Sequence, residues 1–148
     1  MEIIYRKGDL LETDCRLIAH GCNAQGVMGS GVAKAIRAKY PNAYDIYRGV
    51  HLDKGLTLGE NVLAGIPGTT TIIVNCITQE FYGRDSSRIY IDYKSIRSCM
   101  RNLNTILEMY DEVAMPKIGA GLGGGDWETI SIIIEEELTD LQPIVYEL

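Results

Sequence analysis

Two glycine-rich stretches carry most of the chemistry this sequence offers. The first, Gly26-Val27-Met28-Gly29-Ser30-Gly31, follows a β-prone run and precedes a helix expected to begin near Val32; the second is Gly119-Ala120-Gly121-Leu122-Gly123-Gly124-Gly125. Glycines let a backbone turn several N–H groups toward one point, and a following helix N-terminus adds partial positive charge, so both stretches suit a phosphate. The first has the frame of a triphosphatase P-loop, but Val32 and Ala33 stand where that loop needs lysine and serine or threonine. The second satisfies G-x-G-x-x-G, yet too few residues follow Gly125 for the further strands of a dinucleotide-binding unit. Two such loops, each after a strand, point instead to one diphosphate held from both sides.

Polar residues flank these loops. His20 and Asn23 precede the first: an imidazole takes or gives a proton near pH 7, and a carboxamide orients a hydroxyl or a water. Asp126 follows the second, where it serves either as a general base or as the cap of the next helix. Cys15, Cys22, Cys76 and Cys99 form no C-x-x-C pair, and His20 and His51 add no zinc spacing, so no metal is expected and the thiols are expected in the core. None of the four has arginine six positions on, which argues against a phosphocysteine. A net charge of −6 disfavours binding by neutralising a nucleic-acid backbone, so phosphates are expected to meet backbone amides. Without a signal peptide or a long apolar run, the expected setting is cytoplasmic, with no membrane role.

The elements that must position these groups alternate. Ile3–Tyr5 predicts a short strand with a turn at Gly8-Asp9, and Arg16–His20 predicts a buried strand ending at Gly21. Val32, Ala33, Ile36 and Tyr40 recur at helical spacing, and Pro41 restarts a second helix through Tyr44 and Tyr47. Thr57–Ala64 and Thr70–Ile77 are β-rich and can pair as a hairpin around Gly65-Ile66-Pro67-Gly68. Ile96, Met100, Leu103 and Leu107 mark an amphipathic helix within 90–109, and Glu112–Ile118 returns as a strand. Ile130, Ile133, Ile134 and Leu138 mark a helix over Trp127–Leu138, and Ile144–Leu148 closes as a strand. This order predicts one domain over residues 1–148: an α/β protein, a three-layer α/β/α sandwich around a mixed, largely parallel sheet.

Across the whole chain, in order, Lys7-Gly8-Asp9-Leu10, Ile18–Asn23 running into Gly26–Ala33, Asn75–Gln79, Met115–Leu122 and Val145–Leu148 resemble the macro domain family. Within it the likeness is to the small yeast-type ADP-ribose-1''-phosphate phosphatases, with the terminal ADP-ribose protein glycohydrolases as a neighbouring branch. The resemblance implies that Asp9, with Leu10 beside it, takes the adenine, its carboxylate accepting from the amino group. It implies that the amides of Gly29, Ser30, Gly31 and Val32, and those of Gly119, Ala120, Gly121, Leu122 and Gly123, hold the two phosphates. Tyr146 either stacks on adenine or belongs to the core. His20 and Asn23 fall near the distal ribose, with His20 the first candidate for catalysis. Phe81 and Tyr82 form either a mobile wall there or an ordinary loop pair.

Two departures matter. The glycohydrolase branch uses a lysine nucleophile and an aspartate where this chain has Gln79 and Gly123, so that covalent route looks closed. Water attack assisted by His20 or Asp126 remains. The leading expectation is a hydrolase, without cofactor, that removes the 1''-phosphate from ADP-ribose-1''-phosphate. Removal of ADP-ribose or O-acetyl groups at the same site, and non-catalytic binding of ADP-ribose-type nucleotides, stand beside it. The expected partner is a small-molecule ADP-ribose derivative; the oligomeric state and any macromolecular target stay open.

Overall fold

The computed structural model describes residues 1–106 and 109–148, so Leu107 of the expected helix lies outside the described residues. The elements are β1 (Ile4–Lys7), β2 (Leu17–Asn23), α1 (Gly31–Lys39), α2 (Pro41–Asp53), β3 (Asn61–Gly65), β4 (Ile72–Gln79), α3 (Tyr93–Ile106), β5 (Glu112–Met115), α4 (Trp127–Glu137) and β6 (Gln142–Glu147). The described residues form a six-stranded sheet in the order β1-β6-β5-β2-β4-β3. Its neighbours pair in parallel, except that β3 runs antiparallel to β4 as the expected hairpin.

Period-two alternation sorts the sheet's side chains between two helical layers. On one face Leu17, Ala19, Val74, Cys76, Val113, Met115 and Val145 meet Ile96, Met100 and Leu103 of α3 and Ile130 and Ile134 of α4. On the other, Ile18, Ile73, Ala114 and Ile144 meet Ile36 of α1 and Ala43 of α2, and Cys22 and Ile77 meet Tyr47. The result is the expected three-layer sandwich. Among the described residues no helix is long and apolar enough to cross a membrane.

Local chemistry sets the boundaries. Tyr40 leaves helical dihedrals (φ −125°, ψ 72°) because the following proline crowds that region, and Pro41 then opens α2, where its missing N–H costs nothing. β5 stops at Met115 rather than Ile118, since Pro116 has no N–H to extend a ladder. Residues 57–60, expected as strand, instead form a turn in which Glu60 N–H donates to Thr57 O at 3.2 Å. β2 does not end at Gly21 but continues to Asn23. Glycine is there for close packing: a Cβ on it would lie 2.9 Å from Thr78 Oγ1 and 3.3 Å from Ile118 Cγ2.

Candidate functional site

β2 and β5 are neighbours, but β2 leads to α1 on one face and β5 leads to α4 on the other. Where adjacent parallel strands send their chains to opposite sides, a crevice opens beyond their carboxyl ends, the usual ligand position in open α/β sheets. A cavity of about 760 Å³ lies there. Its wall includes Gly29, Ser30, Gly31 and Val32 after β2, Gly119, Gly121, Leu122 and Gly123 after β5, Gln79 at the end of β4, and Tyr82 beyond it. His20 and Asn23 also reach this wall. Asp9, Leu10, Phe81, Ala120, Asp126 and Tyr146 stand outside it.

The first loop is built from side chains. Asn23 Nδ2 donates to Val27 O (2.9 Å), while its Oδ1 accepts from Gln25 N–H (3.0 Å) and Val27 N–H (3.4 Å). From below, the Tyr47 hydroxyl of α2 reaches Asn23 O (2.6 Å) and Oδ1 (2.9 Å), and Arg48 donates to Gly26 O (3.2 Å). Burial raises the Tyr47 pKa, so the phenol stays protonated and donates. Asn23 therefore spends its carbonyl and one N–H on shaping the loop. Gly31 adopts φ +59°, which glycine tolerates without strain, and α1 starts there with its first N–H groups free of intrahelical partners.

The second loop is built from backbone. Gly119 (φ +78°) turns the chain so that its carbonyl accepts from Gly125 N–H at 2.8 Å, and Gly123 O accepts from Tyr90 N–H (2.8 Å) and Ile91 N–H (3.2 Å) of the segment after β4. The amides of Gly119, Gly121, Leu122 and Gly123 donate to no backbone carbonyl among the described residues. Ala120 differs from the expectation: its N–H is spent on Lys117 O at 3.1 Å.

His20 lies on β2, which runs into the first loop. Its side chain is 1% exposed, and Nε2 lies 2.6 Å from Asn75 Oδ1. Asn75 Nδ2 already donates to Val62 O (3.1 Å) and Ala43 O (3.3 Å), so its oxygen accepts and His20 Nε2 is the donor. Burial lowers the imidazole pKa to about 4, against the opposing pull of that hydrogen bond. At neutral pH the ring is therefore uncharged and carries no extra proton to give a leaving group. The adjacent Cys22 thiol, 3.5 Å from Nε2, has its pKa pushed well up by burial and is no thiolate nucleophile.

Asp126 takes the second of its two expected roles. It caps α4, accepting from Thr129 N–H (3.1 Å) and Thr129 Oγ1 (2.7 Å), and these bonds hold its carboxyl below the usual range. Asp9 lies two residues beyond β1 and caps a 3-10 turn, accepting from Leu11 N–H at 2.9 Å; Leu10 is buried in the core beside it. Tyr146 packs against that same core, its hydroxyl 2.9 Å from Thr13 Oγ1. Phe81 and Tyr82 are exposed, Arg88 stacks 5.8 Å from the Phe81 ring, and Gln79 Nε2 donates to Phe81 O at 2.7 Å.

Sequence reasoning left unassigned several wall residues, among them Gly21, Val27, Thr78, Arg84, Lys117 and Ile118. Lys117 and Ile118 sit in a stretch already singled out, so their proximity to the second loop was an available signal. Arg84 had none: its place depends on residues 80–92 folding back to pair Gln79 with Ile91 and to donate to Gly123 O. Among the described residues no cluster of His, Cys, Asp or Glu is placed to hold a metal ion.

A family model described as "Macro domain" matches residues 19–134. A DNA ADP-ribosyl glycohydrolase of Mycobacterium tuberculosis is 29% identical over 151 residues, covering 97% of this chain but only 42% of that protein's length. An ADP-ribose 1''-phosphate phosphatase of Scheffersomyces stipitis is 28% identical over 162 residues, covering 90% of this chain and 94% of the fungal one. In structure, a protein of unknown function from Bacteroides thetaiotaomicron superimposes with a TM-score of 0.88 at 31% identity, over 100% of this chain and 99% of that one. The strand order, the crevice between two glycine loops and these likenesses agree: the chain belongs to the macro domain family.

Proposed function

We propose that this chain binds ADP-ribose derivatives and removes the 1''-phosphate from ADP-ribose-1''-phosphate. The observation that carries the reading is the pair of glycine loops facing each other across one cavity, with backbone N–H groups uncommitted on the second loop and at the start of α1. Such donors suit a diphosphate in a protein of net charge −6. Asp9, at the same carboxyl edge beyond β1, marks the adenine end, and β4 with Tyr82 and Arg84 marks the distal end. The fungal phosphatases support this substrate, because the likeness spans nearly their full length.

Hydrolysis breaks the ester's phosphorus–oxygen bond: water adds to phosphorus, and ADP-ribose and inorganic phosphate leave. Phosphoryl transfer needs positioning and charge neutralisation more than covalent help, and Arg84 on the wall carries positive charge, while the ammonium of Lys117, also on the wall, is paired with Glu147 at 3.4 Å. His20 and Asn23 act here as positioning residues, shaping β2 and the loop that follows it. Gln79 is no nucleophile, which speaks against a covalent glycohydrolase route.

One observation favours a second reading, a binder without turnover: among the described residues the cavity wall carries no aspartate or glutamate, and its imidazole is held neutral. Incubation with ADP-ribose-1''-phosphate, O-acetyl-ADP-ribose and an ADP-ribosylated protein, following phosphate, acetate and free ADP-ribose, separates the two. Phosphate release from the first substrate alone is expected. Tight ADP-ribose binding with no product from any substrate would replace the hydrolase by the binder.

A further inference from the structure

We infer that the Thr78 hydroxyl is a ligand contact at the β4 end of the cavity, reading the distal sugar of the bound nucleotide. Thr78 interrupts the pairing of β4 with β2: Cys22 pairs with Ile77 and Asn23 with Gln79, leaving Thr78 as the extra residue of a β-bulge. Bulges of this kind aim side chains at sites near sheet ends. Thr78 is 1% exposed, and its Oγ1 has no hydrogen-bond partner among the described residues. Leaving a buried hydroxyl unpaired is costly, and native proteins keep such groups where something else pairs with them.

The surroundings place this residue beside the cavity. Thr78 lines it, and the neighbour over Oγ1 is Gly21, whose missing Cβ would stand 2.9 Å away. Any side chain at Gly21 would cover the hydroxyl. The other close neighbour of that position is the Ile118 methyl, which offers no hydrogen bond. Thr78 is thus a hydroxyl with one proton to donate and lone pairs to accept, set in an apolar recess on the cavity wall. β4 lies on the opposite side of β2 from β5, β6 and β1. With adenine at the β1 end, the group that reaches β4 is the far sugar, whose hydroxyls match a threonine hydroxyl.

This inference rests on the ADP-ribose reading, and the test keeps the two apart. ADP-ribose and ADP, which lacks the distal sugar, are titrated calorimetrically into wild type, Thr78→Val and Thr78→Ser. Wild type is expected to bind ADP-ribose; Thr78→Val is expected to weaken ADP-ribose roughly tenfold, the loss of about one hydrogen bond, with ADP unchanged and Thr78→Ser close to wild type. The thermal midpoint of Thr78→Val is expected to be no lower than that of wild type, because the hydroxyl removed has no protein partner. Equal ADP-ribose binding by wild type and Thr78→Val overturns the contact alone, as does equal weakening of both ligands or a lowered midpoint. Failure of wild type to bind ADP-ribose overturns the reading, and the contact with it.

Discussion

The loop after β2 is braced by side chains from another element, Tyr47 and Arg48 of α2, acting through Asn23 and Gly26. The loop after β5 is braced by its own carbonyls, Gly119 O and Gly123 O, and by the amides of Tyr90 and Ile91. Both present backbone to one cavity, but they fail differently. A side-chain brace fails when an atom is removed, whereas a loop closed on its own backbone fails when an atom is added.

The sharpest contrast lies within the second loop. A Cβ at Gly121 meets no heavy atom within 4 Å, and its φ is not among the positive ones; a Cβ at Gly123 would lie 2.7 Å from Gly119 O. Gly121→Val is therefore expected to fold with a near-normal thermal midpoint and to lose ADP-ribose affinity on the order of 100-fold, since its side chain stands on the cavity wall. Gly123→Val is expected to lose both binding and stability. A Gly121→Val protein that binds normally in calorimetry would remove this loop from the site.

Acidification tests the strand beneath the first loop. The folded-state pKa of His20, about 4, lies below the ordinary 6.5, so the unfolded chain takes up the proton first. Stability is complete above about pH 6.5 and falls as pH drops toward 4, by roughly 3 kcal/mol in total. Urea unfolding across that window should show the loss, and His20→Gln should flatten it. An unchanged slope in the variant would assign the acid sensitivity elsewhere.

Removing the brace itself has a smaller effect. Tyr47→Phe deletes the buried hydroxyl that reaches Asn23 and should cost about 1–2 kcal/mol in denaturant unfolding. It should also weaken ADP-ribose several fold, because the first loop loosens while the second does not. Normal affinity with reduced stability would show that the first loop needs no support from α2. Smallest of all, Asp126→Asn should leave turnover of ADP-ribose-1''-phosphate and the unfolding midpoint unchanged, since asparagine caps a helix nearly as well. A large fall in rate would restore Asp126 as a base.

What the sequence determined by itself is the alternation of strands and helices, the hairpin of β3 and β4, the three layers and the two loops that meet at the cavity. These follow from periods of two and about 3.6, from Pro41 and from clustered glycines, all properties of neighbours along the chain. Tertiary structure alone decided the state of His20, because its partner Asn75 is 55 residues away and its low pKa comes from burial that no local pattern encodes. It likewise decided that Gly21 continues a strand, that the Ala120 amide is spent on Lys117, and that Arg84 and Thr78 reach the wall. Hydrogen-bond partners and desolvation are set by what packs against a residue. A linear spacing specifies which groups approach the site, while the fold decides which of their atoms remain free to act there.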